Sequence, residues 1–324
     1  MRAALPLIAS ILVAACNGNI GETPSGRGAG GAGNSGGGNS GGAGGGNGGS
    51  GGVVVGPGGT TLPNGVGWST RYPRLTHAQW ENTTRDLLRL DAAPGISSTF
   101  APDPVTRFDT SIADRKVSTA LFGDYQEAAE QLATTVARDP AKLAKILPAG
   151  LPSADPARAQ AFVTAFGKRA FRRPLTPDEV SGYTRLFQKG TSLLGGDALS
   201  AGAEIVLRAM LQSPHFLYRI ESSSEAQGDL IWLSGYEIAT RLSYALWNTM
   251  PTDELLAAAE AKELDNAEGV QRWAKKLSAD AKVEGTIRTF HEQLLKVASF
   301  GSVVKDTKRF PGYTPAIAGA LQNE

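Results

Sequence analysis

The stretch best suited to chemistry is Ser213–Glu221, SPHFLYRIE, which holds a histidine, an arginine and a glutamate within one short segment. A neutral histidine takes up and releases protons near pH 7, and a neighbouring cation and carboxylate tune that exchange. If His215, Arg219 and Glu221 converge on one pocket, they form an acid–base site. These three are the candidate catalytic residues of the chain.

The same segment also has a purely structural interpretation. Ser213 is a good N-cap residue, and Pro214 suits the first position of a short helix. Phe216–Leu217 would then be buried, and Arg219 would pair with Glu221. The sequence by itself leaves both interpretations open.

A second segment, AFGKRAFRRPLTPDEV, crowds four cations into six positions: Lys168, Arg169, Arg172 and Arg173. We expect a helix over 155–172 that stops at Pro174. Cations in its last turns would complement the helix dipole, cap free carbonyls and pair with Asp178 or Glu179. This structural interpretation makes the segment a helix end followed by a tight turn.

Three arginines are candidate binding residues, namely Arg172, Arg173 and Arg241. The alternative interpretation of the basic segment is a site for an anion or an acidic polymer, formed by the first two. Arg241 begins RLSYALW, in which Tyr244 and Trp247 lie three positions apart and so share one helix face. This aromatic stripe favours core packing, with a sugar-binding platform as the alternative.

The charge balance argues against a nucleic-acid partner. From residue 68 onward the chain carries thirty basic and thirty acidic residues, a balance that gives no bulk attraction to nucleic acid or to anionic lipid. Cys16 is the single cysteine, and His77, His215 and His291 are far apart in sequence. Neither a disulfide within the chain nor a metal-ligand spacing is present. We therefore expect no metal and no cofactor.

Helices must position these side chains. Capping boxes at Thr76–Gln79, Thr176–Glu179 and Ser234–Glu237 predict three helix starts, each followed by apolar residues at helical spacing. Further helices are predicted near 117–138, 155–172, 198–213, 252–264, 266–279, 281–297 and from 314 onward.

Strand patterns are nearly absent from the chain. Val53–Val55 and Leu230–Leu233 are the short candidates. We therefore predict an all-α fold, a multi-helix bundle. The polar segment 221–229 could divide it into two helical subdomains.

The N-terminus, MRAALPLIASILVAAC, has the pattern of an export signal. Its apolar stretch Ala3–Ala15 is too short to span a bilayer but has the size of a signal-peptide core. Val13–Cys16 resembles the lipobox of bacterial lipoproteins, in which the cysteine becomes the acylated N-terminus. The resemblance implies lipidation at Cys16 and a membrane anchor. The alternative is an ordinary signal peptide with an incidental cysteine.

Residues 17–67 are rich in glycine, serine and asparagine, with 24 glycines between Gly18 and Gly67. Such a segment buries too little apolar surface to fold, so we predict a disordered tether with a reach of roughly 40 Å. Asn17 stands where aspartate would signal inner-membrane retention in such lipoproteins. This favours the outer membrane or the cell surface.

Three groups of motifs carry a family resemblance. They are RLTHAQWENTTRDLL, then AFGKRAFRRPLTPDEV with LRAMLQSPHFLYRIE, then LSGYEIATRLSYALWNTMPTDELL. The order resembles bacterial exported proteins of planctomycetes and myxobacteria that carry the domains of unknown function 1587, 1595 and 1592, often beside cytochrome c domains. Relatives often have cysteines before the second group, and this chain has none there, so no redox role is implied for that segment.

The resemblance implies helical modules over 68–150, 151–221 and 230–324, after a signal peptide over 1–16 and the tether. The last module is expected to be incomplete, because relatives continue beyond it. We expect an envelope lipoprotein that binds or scaffolds, with a polysaccharide or a cytochrome-bearing protein as partner. The alternative is an enzyme or accessory subunit in extracellular polymer degradation or cytochrome-linked electron transfer.

Overall fold

Helices dominate the computed structural model, which describes residues 71–103, 108–110, 116–227, 230–297, 305–306, 308–314, 316–317 and 319–320. The expected signal peptide with Cys16, the tether and the Val53–Val55 strand lie outside the described residues. So does most of the helix expected from 314 onward. Over the described ranges the all-α prediction is confirmed.

The described residues form twelve α-helices. In chain order these are α1 His77–Leu88, α2 Thr119–Ala137, α3 Pro140–Ile146, α4 Ala157–Phe171, α5 Pro177–Gln188, α6 Gly190–Leu194, α7 Ala198–Leu211, α8 Pro214–Leu217, α9 Gly235–Trp247, α10 Asp253–Glu260, α11 Ala267–Ser278 and α12 Lys282–Leu295. Within these ranges no helix has the length and apolar character needed to cross a membrane.

All three predicted capping boxes are confirmed. In each, the hydroxyl of the first residue accepts from the backbone N–H of the fourth, and the fourth side chain accepts from the first backbone N–H. The boxes open α1, α5 and α9. Because each satisfies two otherwise unpaired donors, the start of the helix is set by local sequence.

Two helices and a single 3₁₀ turn among the described residues were not predicted. Helix α3 follows Asp139, whose carboxylate accepts from the backbone N–H groups of Ala141 and Lys142. Helix α6 follows α5 directly, and the 3₁₀ turn covers Ile96–Thr99. Helix α10 is shorter than the expected 252–264, because the chain leaves the helix after Glu260 and Lys262 takes a positive φ of 60°.

The strand candidate at Leu230–Leu233 is confirmed over two residues. Ala226–Gln227 forms β1 and pairs antiparallel with β2, Leu230–Ile231. This hairpin lies between α8 and α9, where the sequence predicts a break.

An extended strap joins the start of the described chain to its middle. We use the name strap for residues 71–75 and the antiparallel segment 217–221. Leu75 N donates to Leu217 O, Arg219 N to Pro73 O and Glu221 N to Arg71 O, each at 2.9 Å. The strap satisfies backbone groups that no helix covers.

Arg74 fastens the first half of the strap to α2. Its side chain is buried, donates to Tyr125 Oη at 2.6 Å and forms an ion pair with Asp103. Burial raises the pKa of Tyr125 to about 12, although the nearby Arg74 cation opposes that shift. The phenol is therefore neutral and serves as a fixed acceptor.

Buried apolar side chains form two clusters. The larger unites residues of α1–α5 and α7–α8, and its bulkiest members include Trp80, Tyr125, Phe162, Phe166, Phe187 and Phe216. The smaller, Ala239, Leu255, Ala259, Leu264 and Leu277, lies among α9, α10 and α11. Tyr244 and Met250 belong to the larger cluster, so α9 and the turn after it contribute to both.

Gly190 marks a close contact between two helices, where α6 meets α7. A Cβ placed there would lie 2.5 Å from the backbone carbonyl of Ala201 and the nitrogen of Gly202. We predict that Gly190→Ala lowers the free energy of unfolding by about 1–3 kcal/mol, because backbone atoms must move apart. Denaturant unfolding followed by circular dichroism measures the change.

Gly123→Ala is the matched control. This glycine lies inside α2, and nothing lies within 4 Å of an added Cβ. Alanine there should raise the free energy of unfolding by up to about 1 kcal/mol, since it favours the helix. Equal effects of the two substitutions would show that the α6–α7 contact is not close.

Candidate functional site

Arg172 lies at the point where several elements meet. It follows α4 in the left-handed region, at φ 58°, and its side chain is almost fully buried. Its Nη2 donates to the carbonyl oxygens of His215 at 2.8 Å, Phe216 at 3.1 Å and Tyr218 at 2.7 Å. Arg172 therefore caps the C-terminal end of α8.

The expected position of Arg172 within the last turn of α4 is wrong. The helix ends at Phe171, and the left-handed turn directs the Arg172 guanidinium to α8 instead of along α4. Among the described residues no carboxylate forms an ion pair with it. Buried carbonyl groups take the place of a counter-ion, because each accepts a charge-assisted hydrogen bond.

Tyr244 of α9 lies beside two guanidinium groups. The guanidinium carbon of Arg172 is 5.8 Å from its ring centroid, and that of Arg219 is 5.2 Å away. The Tyr244 hydroxyl lies 2.8 Å from Thr83 Oγ1 in α1. Tyr244 is therefore a core residue and does not form an exposed aromatic stripe with Trp247.

Arg219 has fewer polar partners than the other cations of this region. Its Nε is buried and has no hydrogen-bond partner among the described residues. Burial lowers the pKa of Arg219, and the neighbouring cation of Arg172 lowers it further. The Tyr244 ring offsets part of the cost of burying the Arg219 charge through a cation–π contact.

Glu221 pairs with Arg241 and not, as the structural interpretation predicted, with Arg219. Arg241 Nη2 donates to Glu221 Oε2 at 2.7 Å, and Nε donates to the other carboxylate oxygen. The hydrogen bonds that Arg241 donates to the Glu221 carboxylate raise the pKa of Arg241 above its usual value. The strap places Glu221 opposite α9, so the pair joins these two elements.

Arg219, Glu221 and Arg241 line one small cavity between the strap and α9. Its volume is about 20 Å³. A space of that size holds about one water molecule. The fold thus brings these three candidate residues together, but the cavity they line has room for a bridging water molecule only.

His215 has different neighbours. Its Nδ1 lies 3.3 Å from Arg173 Nη2, and its Nε2 lies 3.6 Å from Glu179 Oε1. Because arginine only donates, Nδ1 must accept, which leaves the proton of the neutral ring on Nε2. Burial lowers the pKa of His215, and the Arg173 cation lowers it further. A neutral imidazole is therefore favoured at neutral pH.

Arg173 and Glu179 form the ion pair that the structural interpretation predicted. Both nitrogens of the guanidinium fork donate to the carboxylate, at 2.8 and 2.9 Å. Burial raises the pKa of Glu179, but bonds from Arg173 and the Thr176 backbone outweigh burial and hold it below the usual range. The same carboxylate completes the capping box of α5.

The remaining two cations of the basic segment also have partners. Lys168 pairs with Glu260 at 2.6 Å. Arg169 donates to the carbonyl oxygens of Asp86 and Leu87 and pairs with Asp253 at 3.1 Å. The segment thus connects α4 with the end of α1 and with α10, as a helix end with structural cations would.

A larger concave site lies elsewhere, at the junction of α9, α10, α11 and α12. We call it the tryptophan groove, because Trp247 and Trp273 both line it, and its volume is about 330 Å³. Thr252, Glu254, Lys276, Asp280 and Lys282 supply its polar lining. Volumes of roughly 300–1,000 Å³ are usual for small-molecule sites.

Sequence reasoning identified Trp247 but missed its partner in the groove. Trp273 lies 26 positions further along the chain, within the helix predicted over 266–279, and was not singled out there. The missed signal is a pair of tryptophans on two predicted helices separated by one other helix, one at the end of α9 and one within α11. Among the described residues, no group of three or more histidine, cysteine or carboxylate side chains could hold a metal.

Arg172 and Arg173 give a matched pair for testing the difference between a buried and a partly exposed cation. We predict that Arg172→Ala lowers the free energy of unfolding by about 2–4 kcal/mol, because three carbonyl groups lose their donor. Arg173→Ala should cost about 0–1 kcal/mol. Arg172→Gly should be about 1 kcal/mol less harmful than Arg172→Ala, since glycine tolerates the positive φ.

Urea denaturation of the three variants measures these differences. Equal losses for Arg172→Ala and Arg173→Ala would contradict the assignment of Arg172 as the buried link between α4 and α8.

Comparison with known proteins gives three family matches. Residues 73–138 match "Protein of unknown function (DUF1587)", residues 158–221 match "Protein of unknown function (DUF1595)", and residues 233–324 match "Protein of unknown function (DUF1592)". No curated protein and no solved structure matches the chain. The three segments therefore carry, in the order that the motifs predict, the domains of unknown function 1587, 1595 and 1592.

Proposed function

We propose that this chain is a lipid-anchored envelope protein whose helical module binds a partner through the tryptophan groove. The observation that carries the proposal is the groove itself, a concave site of about 330 Å³ lined by two tryptophans and several charged groups. Aromatic side chains with a few placed polar groups are typical of binding sites. The groove lies within residues 233–324, the segment that matches the third domain.

The neighbours of the candidate catalytic residues favour binding over catalysis. His215 faces Arg173 and Glu179, while Glu221 is held by Arg241. A substrate would have to separate the Arg241–Glu221 ion pair to reach the largely buried Glu221 carboxylate. The cavity beside Arg219 has room for about one water molecule.

The anchoring half of the proposal rests on sequence. Val13–Cys16 has the lipobox pattern, and the glycine-rich segment 17–67 has the composition of a flexible tether. Two or more acyl chains hold a protein stably on a bilayer, whereas one chain binds only marginally. We infer an exported protein held at the outer membrane or cell surface by Cys16. Its partner would be an envelope polysaccharide or a cytochrome-bearing protein.

Lipidation is tested by replacing the cysteine. Cells that express the full chain and are fed labelled palmitate should yield labelled protein in the membrane fraction, and Cys16→Ser should abolish the label. Val55→Ala, a substitution within the tether segment, is the control and should keep it. Equal labelling of wild type and Cys16→Ser would contradict the anchor.

Binding is tested with isolated cell envelopes of the organism that encodes the chain. The full chain carrying Cys16→Ser, which lacks the proposed acyl anchor, should co-sediment with envelopes stripped of their own copy. Trp273→Ala should reduce the bound fraction about tenfold, because it removes one wall of the groove. Trp232→Ala is the matched control, since Trp232 is 59% exposed and does not line the groove.

If wild type and Trp273→Ala sediment alike, the groove is not the binding site. If neither sediments, the proposed envelope-binding function is contradicted.

A further inference from the structure

The tryptophan groove offers two aromatic walls that are held in place by their own N–H groups. Trp247 Nε1 donates to the carbonyl oxygen of Leu277 at 3.0 Å, and Trp273 Nε1 donates to Glu263 Oε2 at 2.9 Å. The indole N–H is the only donor of each side chain. Each tryptophan therefore presents only the carbon surface of its ring to a ligand, and it does so in a fixed orientation.

A lysine of the groove lining also lies against each tryptophan ring. Lys276 Nζ lies 4.5 Å from the Trp273 ring centroid, and Lys282 Nζ lies 4.5 Å from that of Trp247. Cation–π contacts at exposed sites are weak, so a ligand displaces such a lysine at small cost. Because the chain already supplies cations to both rings, a cationic ligand would meet repulsion there.

The polar lining is balanced in charge. Lys276 pairs with Glu254, and Asp280 Oδ1 accepts from the backbone N–H of Lys282 at 2.9 Å. Two ammonium groups and two carboxylates give a formal charge of zero. The groove thus presents donors and acceptors side by side, without a net field that would select an ion.

We propose that the tryptophan groove binds a neutral polysaccharide, with sugar rings stacked on Trp247 and Trp273 and hydroxyl groups bonded to the lysines and carboxylates of the rim. A pyranose ring has a face of C–H groups and a rim of hydroxyls that both donate and accept. That combination matches fixed carbon surfaces surrounded by mixed, balanced charge. This inference rests on the proposed function and assigns its ligand class.

The alternative ligands fit less well. Nucleic acid and acidic polymers need an excess of positive charge, which the rim lacks. A cationic ligand would compete with Lys276 and Lys282 for the rings. A peptide that binds by strand addition would need an unpaired strand edge, and the groove is built from helices and the turns between them.

Isothermal titration of the full chain in detergent tests the ligand class. The probes are the neutral hexasaccharides of β-1,4-glucose, β-1,3-glucose and β-1,4-N-acetylglucosamine, with polygalacturonate as the acidic comparison. We expect at least one neutral probe to bind more tightly than polygalacturonate. Trp273→Ala should weaken that binding about tenfold or more, and Trp273→Phe, which keeps a ring, by about threefold at most.

Trp232→Ala should leave the affinity within about twofold of wild type. Circular dichroism shows whether each variant keeps the wild-type helical content, and Lys282→Ala probes the rim if Trp273→Ala unfolds. Lys282→Ala should then weaken binding about threefold, since one hydroxyl partner is lost while both rings remain.

The outcomes separate the inference from the proposed function. No binding of any neutral probe, together with envelope co-sedimentation that depends on Trp273, overturns the neutral polysaccharide and leaves the binding function standing. Tighter binding of polygalacturonate overturns the inferred neutrality of the ligand. Glycan binding that is unchanged in folded Trp273→Ala and in Lys282→Ala places the site elsewhere. Absence of both glycan and envelope binding overturns both proposals.

Discussion

The buried guanidinium of Arg172 is the contact on which the arrangement of the helices depends. It terminates α4, caps α8 through three carbonyl groups and lies beside the ring of Tyr244 in α9. Tyr244 in turn bonds Thr83 in α1. One cation and one phenol thus join segments that match three different family domains. A shorter or more strongly hydrated cation could not reach several carbonyl groups in one plane.

The other arginines near Arg172 also have structural partners. The concave site of the protein, the tryptophan groove, lies elsewhere. Arg169, Arg173 and Arg241 each pair with a carboxylate on another element or turn. The tryptophan groove lies at the C-terminal end of α9, where Trp247 lines it, beside the smaller apolar cluster. Helix α9 therefore has two roles, because Tyr244 belongs to the core while Trp247, one turn later, lines the groove.

Much of the secondary structure follows from local sequence, while the site does not. Capping boxes at Thr76, Thr176 and Ser234 predicted helix starts correctly, because a cap is a contact within four residues. The left-handed turn at Arg172 and the pairing of Glu221 with Arg241 depend on residues distant in sequence, which no local pattern encodes. The groove combines Trp247 and Trp273 only after α9 and α11 have packed. Spacing predicted that His215 would converge with Arg219 and Glu221, but the change from helix α8 to the extended strap at Tyr218 separates their side-chain contacts.

The strap has a consequence for the order in which the molecule assembles. Residues 71–75 bond to 217–221, so roughly 140 residues must be synthesised between the two halves of one short ladder. At a translation rate of about 5–20 residues per second, the first half waits roughly 7–30 s for its partner. Until then Arg74 and the buried face of α1 lack part of their native surroundings. The first domain segment therefore gains its last backbone partners only when residues 217–221 of the second segment have been synthesised.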